Sequence, residues 1–239
     1  MRTLKIQATE PQARFLALTA KYRLFCAGFG AGKSEAMANA AMIDACESTD
    51  TLIGLYAPTY DLVRLITAPR ITSKLTQHGI AHNYNKSENV IYTSAPRFGD
   101  FILRTLDNPE RIVGYETYKA HCDELDTLHT EHARNAWNQV IARNRQRPNG
   151  IIDPFNQASA YTTPEGFRFC HERWVAKKTE SYAIVQAVLF TRITTANAAT
   201  HTKQSEKTSR YSSDKILTWA QWHRLFTSNV RTDGTLLTS

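Results

Sequence analysis

Gly28, Gly30 and Gly32 alternate through the stretch Ala27-Gly28-Phe29-Gly30-Ala31-Gly32-Lys33-Ser34 and end on a lysine and a serine. Glycines let a backbone curl until several N–H groups point at one anion. Here those of Gly28, Gly30, Ala31 and Gly32 are the candidates. An apolar run, Tyr22 to Cys26, precedes the loop, and a helix-favouring run from Glu35 follows it. Strand, glycine-rich turn, Lys-Ser, helix is the layout of a nucleotide-phosphate cradle. In such a cradle Lys33 reaches the β- and γ-phosphates, the Ser34 hydroxyl ligates Mg²⁺, and the helix offers its positive end. The strict pattern wants glycine six residues before the lysine, where this chain has Ala27.

A phosphate loop needs carboxylates at the end of a neighbouring strand, and Asp123-Glu124 closes the stretch Tyr118 to Cys122. Asp123 would hold Mg²⁺, and Glu124 would orient or deprotonate an attacking water. Lys119 and His121 interrupt this strand's apolar character, and an Asp-Glu pair equally suits a solvated surface. A third element is Ala160-Tyr161-Thr162-Thr163-Pro164, a strand end that places the hydroxyls of Thr162 and Thr163 where ligands sit in open α/β sheets. A plain capped turn would use the same hydroxyls on its own backbone. Asp126 could support the metal shell or cap a helix. His129 and His132 have helical spacing but lack a third metal ligand.

The elements that must position these groups alternate between residues 10 and 165. Helices are predicted over Glu10–Lys21, Glu35–Ser48, Asp61–Leu75 (bent or broken at Pro69) and Glu131–Arg145. Strands are predicted over Leu24–Ala27, Thr51–Ala57, Asn89–Ser94, Arg97–Leu106, Tyr115–Cys122 and Gln157–Thr162. The two around Ser94-Ala95-Pro96 read as an inserted hairpin. The fold class implied is α/β: a P-loop NTPase with a mostly parallel central sheet flanked by helices. Composition shifts near Ala187, which separates a predicted ATPase domain at 1–187 from a Ser/Thr-rich tail at 188–239 with weak periodicity.

The formal net charge of +7 favours a polyanionic partner. Four scattered cysteines without a Cys-x-x-Cys pair read as reduced thiols. No apolar run approaches the roughly twenty residues that span a bilayer, and the first residues lack a signal-peptide core. A soluble, non-exported protein with no membrane partner is expected.

The ordered set resembles the ATPase domain of the large terminase subunit of tailed bacteriophages. Ala27 to Ser34 resembles its variant phosphate loop, Cys122-Asp123-Glu124 its Walker B end, and Thr162-Thr163-Pro164-Glu165-Gly166 its coupling motif. Gln12 resembles the glutamine that contacts adenine, and Arg111-Ile112-Val113-Gly114 the Arg-x-x-Gly stretch ahead of Walker B. The resemblance spans about residues 8 to 187. It implies ATP hydrolysis with Mg²⁺ that drives double-stranded DNA into a procapsid. It also implies a homo-oligomeric ring, a small terminase subunit and a portal protein as partners, and residence in the host cytoplasm. Many family members carry arginine where this chain has Phe29. The charge is then expected from elsewhere, with Arg143, Arg145 and Arg147 as candidates, including from a neighbouring subunit. The tail resembles no nuclease domain of the family, so no nuclease activity is expected, and a truncated or frame-disrupted gene is one explanation. A helicase-like DNA-dependent ATPase, or a non-catalytic nucleotide- or DNA-binding remnant, are the competing readings.

Overall fold

The structure is a computed structural model and describes residues 4–187. The predicted tail at 188–239 lies outside the described residues. Eight strands form one sheet: β1 (Tyr22–Ala27), β2 (Leu52–Ala57), β3 (His82–Asn85), β4 (Val90–Thr93), β5 (Asp100–Thr105), β6 (Lys119–Asp123), β7 (Ala158–Thr162) and β8 (Tyr182–Ala187). Their order is β3-β4-β5-β2-β6-β7-β1-β8. From β5 to β8 every pairing is parallel, so the carboxyl ends of β1, β6 and β7 share one edge. The antiparallel pairs β4–β5 and β3–β4 extend the sheet on one side. The expected hairpin is thus present. The polar edge strand β3 (His-Asn-Tyr-Asn) and the far edge strand β8 were not legible in the sequence, because edge strands need only part of the buried alternation that marks inner ones.

The helices are α1 (Glu10–Leu16), α2 (Lys33–Ala45), α3 (Tyr60–Leu62), α4 (Ala68–Gln77), α5 (Thr130–Arg143) and α6 (Phe169–His171). A capping box between Thr9 and Gln12 opens α1, with proline in its first turn. It ends earlier than its pattern suggests. The carbonyls of Leu18 and Ala20 accept hydrogen bonds from Gln157 at 3.1 and 2.8 Å, which draws the chain towards β1. Between α3 and α4 runs a π-helical turn, Val63–Thr67. Proline at 69 has no N–H to give and would crowd the carbonyl four residues back, so a widened turn ahead of it keeps the segment helical.

The core has two layers. Residues of α1, α2 and α4 (Phe15, Met37, Met42, Ile71, Leu75) cover Phe25, Ile53, Leu55 and Phe101 on one sheet face. On the other face Trp137 of α5, together with Trp174, packs over Leu24, Ala120, Cys122, Ala158 and Ala160. The buried face of α2 is rich in alanine (Ala36, Ala38, Ala40, Ala41, Ala45), which lets its backbone lie close to the sheet.

Beneath α2 the strand register aligns His121, Ser159 and Arg23 across β6, β7 and β1. Lys119 lies one pleat earlier on the same face. Asp44, in the last turn of α2, meets this polar row. It lies 3.1 Å from Lys119 Nζ, 3.0 Å from His121 Nε2 and 3.7 Å from an Arg23 guanidinium nitrogen. Arg23 Nε donates to Ser159 Oγ at 2.7 Å, and Lys119 also pairs with Glu47. Burial opposes ionisation of Asp44. Lys119, the His121 hydrogen bond and Arg23 outweigh it and hold the carboxyl well below the usual carboxylate range. Burial lowers the His121 pKa despite Asp44, which keeps the imidazole neutral. Its Nδ1, 3.0 Å from the Tyr161 hydroxyl, then accepts while Nε2 faces the carboxylate.

Asp44→Ala strands these buried cations and is expected to cost about 3–5 kcal/mol in urea unfolding at pH 7. Because the folded-state pKa is depressed, the Asp44 contribution is present above the unfolded value of about 3.9 and is lost as pH falls below it. The stability gap between wild type and Asp44→Ala therefore narrows below about pH 4.

Candidate active site

Lys33 opens α2, and its side chain bends back over its own loop. Nζ lies 3.2 and 3.4 Å from the carbonyls of Ala27 and Gly28. It donates to Thr163 Oγ1 at 2.7 Å and pairs with Glu124 Oε1 at 3.2 Å. Glu124 closes the triangle, since its Oε2 accepts the backbone N–H of Thr163 at 3.1 Å. Residues from the ends of β1, β6 and β7 thus meet at one point on the carboxyl edge, where open α/β sheets place ligands.

Within the loop, Gly30 and Gly32 adopt positive φ of 74° and 81°. A side chain on Gly32 would also strike Gln12, whose Nε2 lies 2.5 Å from the position of a Cβ. Gln12 Nε2 donates to the Gly32 carbonyl at 2.9 Å, and its Oε1 accepts the Thr9 N–H at 2.9 Å. Gln12 therefore couples the first turn of α1 to the loop. Gly28 has open space at its Cβ position and no positive φ, so the fold does not demand glycine there. The Ala31 N–H turns back to the Gly28 carbonyl at 3.3 Å, and Ser34 stands in the first turn of α2.

Asp123 and Glu124 would diverge if β6 simply continued, because successive strand side chains point to opposite faces. The chain avoids this by placing Glu124 in the left-handed region, with φ 46° and ψ 44°. For a residue with a Cβ that conformation costs on the order of 1–2 kcal/mol. Thr127 holds the turn through its N–H and hydroxyl, both donated to the Glu124 carbonyl at 3.1 and 2.7 Å. Glu124 swings towards Lys33 while Asp123 stays on the α2 face beneath it. No sequence signal marked this backbone twist, because glutamate is not a left-handed former.

Asp123 is 6% exposed, and its Oδ1 has no hydrogen-bond partner. Burial and the neighbouring Glu124 charge push its pKa up to about 7, against the pull of Lys33. A buried carboxylate oxygen with no donor beside it fits a hard cation. Among the described residues no three His, Cys, Asp or Glu side chains converge as a metal cage. A magnesium ion held by one hydroxyl, one carboxylate, phosphates and water needs no such cage.

Thr162 does not join the cluster. Its hydroxyl lies on the other side of the strand, accepting the Asp126 N–H at 3.2 Å and donating to the Thr163 carbonyl at 3.2 Å. Asp126 is likewise structural: Oδ1 accepts the Cys170 N–H at the start of α6 at 2.8 Å, and its carbonyl accepts from Arg168 at 2.9 Å. His132 lies 2.8 Å from the Leu106 carbonyl. Arg145 pairs with Glu116 at 2.8 Å, and the Arg143 carbonyl accepts the Thr117 N–H. Both partners precede β6, so Arg143, Arg145 and the adjacent Arg147 sit at the amino edge of the sheet. They cannot serve the loop of their own chain.

The family model for the terminase large subunit, T4likevirus-type, N-terminal region, matches residues 24–236. The chain belongs to the phage terminase large subunit family. The match takes in the loop, the β6 carboxylates and the threonines, and continues through the stretch beyond 187. Solved structures agree on the fold. The large terminase ATPase domain of Thermus phage P74-26 is 16% identical, with a TM-score of 0.57, over 75% of this chain and 80% of that one. A large terminase from a thermophilic bacteriophage, in complex with ADP, is 14% identical with a TM-score of 0.58, over 75% of this chain and 44% of that one. The HK97 bacteriophage large terminase is 10% identical with a TM-score of 0.57, over 75% and 39%. No curated protein sequence matches the chain significantly. Among the described residues no helix of this terminase chain is long and apolar enough to cross a membrane.

Gly32→Ala tests the loop geometry. The left-handed backbone and the collision with Gln12 are expected to cost about 1–2 kcal/mol in chemical denaturation. Gly28→Ala is expected to stay within about 0.5 kcal/mol of wild type.

Proposed function

We propose that residues 1–187 form an ATPase domain that hydrolyses ATP to move double-stranded DNA into a procapsid. The convergence of Lys33, Glu124 and Thr163 beside the buried Asp123 carboxylate, whose Oδ1 has no hydrogen-bond partner, carries this reading. One ammonium has three hydrogens, and Lys33 faces four acceptors, so phosphate oxygens of ATP compete directly with Glu124 and Thr163 for it. The loop N–H groups and the start of α2 bind phosphate charge. Ser34 and Asp123 would hold Mg²⁺, which neutralises charge on the phosphates. Glu124, freed from Lys33, takes the proton of the attacking water.

Thr163 ties the chemistry to the following segment. It contacts both Lys33 and Glu124, so any exchange at the loop is felt at the end of β7. Gln12 retains one amide hydrogen and one carbonyl lone pair beyond its present bonds, enough for an adenine edge. A large terminase of the same fold was solved in complex with ADP, in keeping with a nucleotide as the ligand. The net charge of +7 suits sequence-independent contact with DNA phosphates. A small terminase subunit, a portal protein and a homo-oligomeric ring complete the motor in this reading, and the host cytoplasm is its setting.

ATP turnover and binding, with and without duplex DNA, test the proposal. Wild type is expected to bind and hydrolyse. Glu124→Gln is expected to bind but turn over about a hundredfold or more slowly. Absence of ATP binding by both proteins would end the enzymatic reading, and wild-type binding without turnover would leave a nucleotide-binding module.

A further inference from the structure

The loop itself supplies a single cation. Phe29 is 76% exposed, and its ring lies 5.4 Å from Lys33 Nζ. Charge spreads over three oxygens of a phosphoryl group in transfer, and a second fixed cation is worth much in a site screened from water. Arg143, Arg145 and Arg147 are at the wrong edge. Arg70, in the first turn of α4, is at the right one.

Arg70 faces α2, with its guanidinium 3.4 Å from Glu35 Oε2. Glu35 directly follows Ser34 in the chain. Lys74, one turn further along α4, shares the same carboxylate. Two cations against one anion leave a positive balance beside the first turn of α2. The Arg70 Nε is shielded from solvent and has no acceptor. A guanidinium held at 3.4 Å by a single carboxylate that it shares with Lys74, beside the first turn of α2, is poised for another anion.

We infer that Arg70 is the second phosphate-binding cation of this site, released by Glu35 to pair with the terminal phosphate of ATP and so favouring triphosphate over diphosphate. The inference rests on the nucleotide reading above and goes beyond it by assigning the discrimination to a residue outside the loop, in the same chain.

Competition against a fluorescent nucleotide measures the affinities for ATPγS and ADP in the presence of Mg²⁺. Arg70→Gln is expected to weaken ATPγS by about 10- to 100-fold, the worth of one charge-assisted hydrogen bond, and ADP by less than about threefold. Arg70→Met, which keeps the apolar stem, is expected to behave alike and serves if the glutamine variant does not fold. Lys74→Gln is expected to leave the ATPγS-to-ADP ratio at the wild-type value. Equal loss for both nucleotides, no loss, or the same ratio change in Lys74→Gln would overturn the inference. Wild type that bound neither nucleotide would instead overturn the nucleotide reading itself.

Discussion

The constraint on which the structure rests is the burial of Asp44 among Arg23, Lys119 and His121. Those three side chains come from two strands and point into the layer under α2, where uncompensated charge would be severely destabilising. Asp44 meets both cations and the imidazole, with Glu47 of the following turn as a second partner of Lys119, so the end of α2 is held where these carboxylates reach them. The helix is thirteen residues long, about 20 Å. Its far end carries Lys33 and Ser34. Fixing one end on the amino side of the sheet therefore aims the other at the carboxyl edge, with little freedom left to the glycine-rich loop.

At that edge the geometry depends on a single unfavourable backbone conformation. Glu124 spends free energy on a left-handed turn that β-strand alternation would not otherwise produce. The contacts that sustain it are Lys33 and Thr163 on the side chain and Thr127 on the carbonyl. Only a turned residue lets adjacent carboxylates address the same side of the sheet. Thr162 and Asp126 secure the opposite face of the same junction, which leaves Thr163 as the threonine in contact with Lys33 and Glu124.

Gln12 adds a second tie. It is both the third helical residue of α1, where it completes the capping box, and the donor that holds the Gly32 carbonyl. The loop is therefore tied to the start of α1 as well as to β7. The small side chains on the buried face of α2 let it sit close against the sheet, so these ties act over short, rigid distances.

The glycine-rich loop between strand and helix, the Asp-Glu pair at a strand end, the alternating α/β order and the inner strands were all legible in the amino-acid sequence. Each rests on local chemistry: glycine tolerance of positive φ, apolar runs of strand length, carboxylates at a strand end. The edge strand β3 was not legible, because its residues, His-Asn-Tyr-Asn, carry no apolar run of their own, and β8 (YAIVQA) lies beyond the last strand predicted. Nor was the division of labour between Thr162 and Thr163, which follows from strand pleat, or the placement of Arg143, Arg145 and Arg147 away from the loop, which follows from the direction of α5. The role of Lys119 and His121 was misread as a flaw in the strand. In the folded protein they are the partners of Asp44, 75 and 77 residues distant in sequence. Local sequence determines which conformations and chemistries are available. Only the packed sheet decides which distant charges meet, because the cost of burying them is settled by neighbours that the chain brings together on folding.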